Sequence, residues 1–280
     1  MPVPAEKIID LAERSGFASE LKVASMLSAA GWGVDQSVYY IDKDEGVGRE
    51  LDLYAYRIDN DISEKPEVHC LINFCIEVKK TQDPFVFFSS KARSHEGGKG
   101  WSMFRWSHNV DSAALGYKDI EREKPLSSPD RLARSYAAFK DGKTQQIRSG
   151  ILSAVKAAIH YTEECDERWS DGSRDICFFL PIVVVDGDLF ECYFETGSPH
   201  LQTKQVHSLV YQQNYISPHY GKISNSVLVY TMKGFTEALE DYANWGQDIL
   251  ETLQSSRSKV VKAGISRGGV SKSADIQRER

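Results

Sequence analysis

The stretch "FCIEVKK", residues 74–80, decides how this chain is read. It starts as a strand bound for the core and ends in Glu77, Lys79 and Lys80. Successive side chains on a strand point to opposite faces, so Phe74, Ile76 and Val78 share one face and Cys75, Glu77 and Lys79 the other. The first set suits a core. The second sets a carboxylate beside an ammonium at the strand's end. Alone, such a pair reads as a plain surface ion pair worth about 0–1 kcal/mol, and only its surroundings could make it part of a reactive site.

Its sequence neighbours favour the site. The segment "RELDLYAYRI", residues 49–58, alternates with Leu51, Leu53 and Ala55 on one face and Glu50, Asp52, Tyr54 and Tyr56 on the other. If the two strands are adjacent, Asp52, Glu77 and Lys79 meet on one side of the sheet. Two carboxylates that close repel and raise each other's pKa. A divalent cation resolves the conflict: Mg²⁺ takes one or two protein carboxylates, waters and phosphate oxygens. Lys79 beside it would hold and help deprotonate a water and stabilise charge growing on a phosphate. Residues 17–30, "FASELKVASMLSAA", read as a helix ended by Gly31, with Glu20 inside the apolar arc of Phe17, Leu21, Val23, Ala24, Met26 and Leu27. Glu20 either tilts outward at the helix start, where the dipole welcomes it, or aims at the same site. Glu50 either supports that site or pairs with Arg49 or Lys43. Lys80, on the other strand face, reads as a solvated charge.

Glu20 on an early helix, then "RELD" with Asp52, then "IEVKK" with Glu77 and Lys79, resembles the PD-(D/E)XK, or restriction-endonuclease-like, nuclease superfamily. The resemblance covers about residues 17–161 and implies an αβββαβ core. It also implies that Asp52 and Glu77 bind Mg²⁺ (or Mn²⁺), that Lys79 positions the attacking water, and that Glu20 supports the metal directly or through water. The function it implies is a metal-dependent DNA endonuclease in restriction, defence or repair. Leu51 stands where the family's nominal proline precedes the aspartate. The rival reading is a silent or partner-activated nucleic-acid-binding module on the same fold.

The remaining sequence sets the frame. Strands are expected at 34–41, 49–58, 70–79, 176–185, 189–194, 206–215 and 226–231, and helices at 144–161 and 235–253, with a shorter one at 5–14. The "DGD" at 186–188 is a hairpin signal between two of the strands. The fold class is therefore α/β: a mixed central sheet with flanking helices and a β-rich C-terminal extension, about 176–253, in one domain spanning 1–253. Residues 254–280 carry seven Lys/Arg against two acidic groups and read as a basic, disordered tail. The whole chain of 280 residues has net charge −6, which argues against coating nucleic acid by bulk charge but not against an enzyme acting on it. Residues 88–109 read as a long loop in which Lys91, Arg93, Lys99 and Arg105 interleave with Trp101 and Trp106. Cations grip phosphates and aromatic rings stack on unpaired bases; the alternative is a loop that packs its tryptophans on the domain. Nucleic acid, DNA ahead of RNA, is the expected partner, with a second copy or a partner protein left open. No apolar run reaches the ~20 residues of a membrane span, and the five scattered cysteines, without a CxxC pair, fit reduced thiols in the cytosol.

Overall fold

The structure, a computed structural model, describes residues 3–92, 104–110, 129–138, 143–168 and 173–256. Arg93, Lys99, Trp101 and the tail beyond 256 lie outside these residues.

The chain forms a mixed α/β fold. After α1 (Ala5–Ser15) and α2 (Phe17–Ala29) come three long strands, β1 (Gly33–Asp42), β2 (Val47–Asp61) and β3 (Glu67–Lys80), paired as an antiparallel meander. Three shorter strands follow, β4 (Phe85–Lys91), β5 (Arg105–His108) and β6 (Arg131–Ala138), and then α3 (Lys143–Asp166). That helix crosses over to β7 (Ser173–Asp186), which pairs parallel with β3 along its whole length. β8 (Leu189–Phe194), β9 (Leu201–Gln205), β10 (Ser208–Ser217), β11 (Gly221–Thr231) and α4 (Met232–Ser255) complete it. All strands lie in one sheet of order β1-β2-β3-β7-β11-β10-β6-β4-β8-β9, with β5 beside β7.

The sequence explains the centre of this sheet. β3 and β7 are near-continuous apolar runs, the pattern of strands covered on both faces. One face packs under α2 and α4, where Phe74 stacks on Trp32 at 4.2 Å and meets the edge of Tyr242. The other packs under α3, whose Ile147, Ile151, Val155 and Ile159 are buried at the expected four-residue steps. α4 is capped by Thr231, whose hydroxyl accepts from the Gly234 N–H at 3.1 Å. Thr231→Ala should lower stability by about 1 kcal/mol, read as a shifted urea midpoint with unchanged slope.

Several expectations are corrected. Residues 176–253 are no peripheral extension, because β7 and β11 form the middle of the sheet. The "DGD" segment makes no hairpin: β7 pairs with β3 and β11, whereas β8 pairs with β4 and β9. The chain at 186–188 instead passes over Thr81 and Phe85, whose N–H groups donate to the Asp186 and Asp188 carbonyls. A Cβ on Gly187 would lie 2.7 Å from the Thr81 carbonyl oxygen, so glycine serves close approach there rather than a tight turn. Part of the expected 88–109 loop is strand, with Lys91 ending β4 and Arg105–His108 forming β5. Among the described residues no helix is long and apolar enough to cross a membrane.

Candidate active site where two strands part

The ladder between β2 and β3 runs from Asp61↔Val68 to Leu53↔Ile76 and stops there. Asp52 is the next residue. Its carboxylate Oδ2 accepts from the Val78 backbone N–H at 2.7 Å, so a side chain takes the place of the ladder partner that β2 withdraws. On the other side, β1 pairs Gln36 with Leu53 and Val38 with Leu51, and between them Ser37 adopts φ +51°, a left-handed conformation uncommon for a residue with a Cβ. The alternation of β2 breaks at this point: Leu53 and Ala55 belong to the core under α2 and α4, while Leu51 packs under α3. The expected shared face for Leu51 and Leu53 is thereby corrected. The local bend lets Asp52 reach the end of β3.

Glu77 and Lys79 project from β3 on the α3 side, as their spacing requires. The Lys79 ammonium donates to Glu77 Oε2 at 2.5 Å and to Asp52 Oδ2 at 3.2 Å, bridging the two carboxylates. This is no exposed ion pair, since Glu77 is only 5% exposed. Burial, followed by the Asp52 charge, pushes its carboxyl up to about 7 against the pull of Lys79 and a hydrogen bond from Ser153. Burial also works against the Lys79 ammonium, but Glu77 and Asp52 outweigh it and hold its pKa above the usual value. Lys79 is therefore charged at neutral pH.

Glu20 faces the same place from α2. Its carboxyl is pushed up by burial first and then by Asp52, with Lys79 opposing. The helix face that fills the core is made by Ser19, Val23, Ala24 and Leu27, whereas Phe17 and Leu21 are exposed, so the expected apolar arc is rotated. Glu50 is exposed and takes neither expected partner: Arg49 pairs with Glu45, and Lys43 with Glu163 at 2.6 Å. It adds negative charge that raises Glu20 further. Lys80 is tied down, donating to the Glu13 carbonyl at 2.8 Å. Asp52 lies between two open depressions that share it and Ser149. One, of about 640 Å³, is lined by Glu20, Lys79, Lys80 and Gln146. The other, of about 460 Å³, is lined by Glu50, Glu77, Gln145 and Ser153.

The donor set suits a hard divalent cation. Asp52 and Glu77 already converge on one cationic group, and both border open space for water or phosphate oxygens. Among the described residues no group of three His, Cys, Asp or Glu side chains forms a ready cage. Mg²⁺ needs none, since it is commonly held by one or two carboxylates. Asp52 and Glu77 are the residues that would hold it, with Glu20 beside them.

Other expected contacts fall elsewhere. Lys91 is exposed at the end of β4. Trp106 packs against the core, its ring parallel to Phe178 at 6.4 Å, and Phe104 is buried beside Trp245, which is the packing alternative for this segment. Arg105 is pulled inward, with a buried Nε that has no hydrogen-bond partner among the described residues. The α3 residues at the site, Gln145, Gln146, Ser149, Gly150 and Ser153, were not singled out by sequence. Their one signal is that small or polar side chains recur beside the apolar stripe of the helix. Comparison with family models, curated proteins and solved structures finds no match to this chain.

Proposed function

We propose that the protein is a metal-dependent nuclease that hydrolyses internal phosphodiester bonds, in DNA in preference to RNA. One observation carries the reading: Lys79 bridges Asp52 and Glu77 where β2 and β3 part, beside open clefts and within the electrostatic reach of Glu20. The succession of α2, the β1–β3 meander, α3 and β7 also follows the order that the PD-(D/E)XK resemblance implies, with residues 81–142 inserted before α3. A Mg²⁺ or Mn²⁺ ion at Asp52 and Glu77 supplies Lewis acidity and a more acidic bound water. Lys79, being charged, donates hydrogen bonds: it orients a water and offsets negative charge growing on the phosphate. Glu77, mostly shut off from solvent and held by Lys79 and Ser153, keeps its orientation.

A second reading is favoured by the cations around the clefts. Arg14, Arg49 and Lys80 are each engaged by an acidic neighbour, Asp10, Glu45 and Glu13. A partner protein that brings the nucleic acid would supply the grip that these three cations give to their acidic neighbours, making this a partner-activated or silent module. Purified protein should nick supercoiled plasmid with Mg²⁺ or Mn²⁺ and not with EDTA. Metal binding without cutting of plasmid or labelled single strands would shift the reading to the module. Absence of both would overturn it.

A further inference from the structure

Gly150 stands two turns into α3, a helix of 24 residues, in whose interior glycine is a poor helix former. It is buried, and what it faces is Lys79: a Cβ built there would lie 2.7 Å from Lys79 Cε, 3.5 Å from its Cγ and 3.6 Å from Glu77 Cβ. The last two are ordinary contacts, but two carbon atoms do not approach to 2.7 Å without displacement. The aliphatic stem of Lys79 therefore runs flat against the bare backbone of the helix. Its ammonium emerges between Asp52 and Glu77 at 3.2 and 2.5 Å. One turn further along α3, Ser153 holds the Glu77 carboxylate and accepts from the Tyr40 hydroxyl at 3.3 Å.

We propose that Gly150 is a positioning residue: its missing side chain is the slot in which α3 holds the Lys79 stem, so that the ammonium bridges Asp52 and Glu77. Only the catalytic consequence rests on the nuclease reading; the slot itself does not. The atom a new Cβ would strike is the far end of a flexible side chain. Lys79 can leave by swinging into the 640 Å³ depression it already lines, so the helix need not move. Gly150→Ala should fold with wild-type secondary structure and a displaced Lys79.

The test reads Lys79 directly. Limited acetylation with acetic anhydride, followed by mass spectrometry, reports each lysine's reactivity, with exposed Lys22 as internal reference. In the wild type Lys79 should be protected. In Gly150→Ala its labelling relative to Lys22 should rise about tenfold, the scale set by the loss of one hydrogen bond to a charged group. Mn²⁺ should bind tighter by calorimetry because two carboxylates lose their resident cation, while plasmid cutting falls. Unchanged Lys79 labelling overturns the slot even if cutting is lost. Absence of cutting by the wild type, with the labelling contrast present, removes the nuclease reading and leaves the slot standing. If Gly150→Ala does not fold, the Lys79→Ala/Gly150→Ala pair decides: recovery of folding once the stem is removed supports the slot, and failure to recover overturns it.

Discussion

Lys79→Ala is expected to lower metal-dependent cleavage by about 10²–10⁴-fold, the range for losing a positioned group that stabilises charge or moves a proton in the transition state. The size follows from where the ammonium sits. Among the described residues it is the one positive group bonded to both Asp52 Oδ2 and Glu77 Oε2, and its own pKa is held above the usual value by those carboxylates. A charged donor already held in place by two carboxylates acts on developing phosphate charge with little reorganisation of its own. Lys79→Arg should not restore the rate, because the broad guanidinium replaces a slim stem pressed against Gly150. Single-turnover rates at saturating plasmid, with circular dichroism as the folding control, make the measurement. A loss smaller than about threefold, below even the weakest such contributions, would reduce Lys79 to a structural ion-pair partner.

What could be seen in the sequence, and what could not, divides by the range of the interaction. That Glu77 and Lys79 share a face follows from the period of two along β3, a local property. The helix 17–30, closed by a glycine at φ +81°, is equally local. The bend at Asp52 is different. It depends on β1 turning left-handed at Ser37 and on the Val78 N–H being free to bond a side chain, and neither is written in "RELD". The same limit explains the missed hairpin. "DGD" is a sound turn signal, but β7 finds its partners in β3 and β11, distant strands that outcompete a local neighbour. It also explains the polar face of "FCIEVKK". That face reads as open to solvent until α3 is known to cover it, and the covering helix is what lifts the Glu77 carboxyl to about 7. Gly150 shows in the sequence only as a small residue inside a helical pattern, and what it is for exists only once a lysine seventy-one residues earlier lies against it.

Lys156→Met should destabilise the fold by about 3 kcal/mol or more, the range for removing one partner of a buried ion pair. Lys156 projects from α3 and is 7% exposed; its ammonium bonds both carboxylate oxygens of Asp42 at 2.9 Å and Asp44 Oδ2 at 2.9 Å, while Asp42 is 4% exposed. The network ties three distant pieces together: the β1–β2 turn, α3, and the β10–β11 hairpin through Tyr215, which donates to Asp44 at 2.5 Å, and Tyr220, which accepts from the Lys43 N–H at 2.9 Å. Methionine fills similar volume but leaves a buried carboxylate without a cation. The sign with pH follows. In the wild type, burial would raise the Asp44 carboxyl, but the Ser217 and Tyr215 hydroxyls and Lys156 win and hold it down to about 2. That contribution is present above the unfolded value near 3.9 and fades as pH falls toward 2. In the variant the Lys156 share of that contribution is gone. Urea midpoints at pH 7 should show the full deficit of Lys156→Met, the gap to the wild type should narrow as pH falls from about 4 toward 2, and Asp42→Asn on top of it should recover part of the loss at pH 7. A midpoint at pH 7 unchanged by Lys156→Met would mean that the network does not hold the turn against the helix.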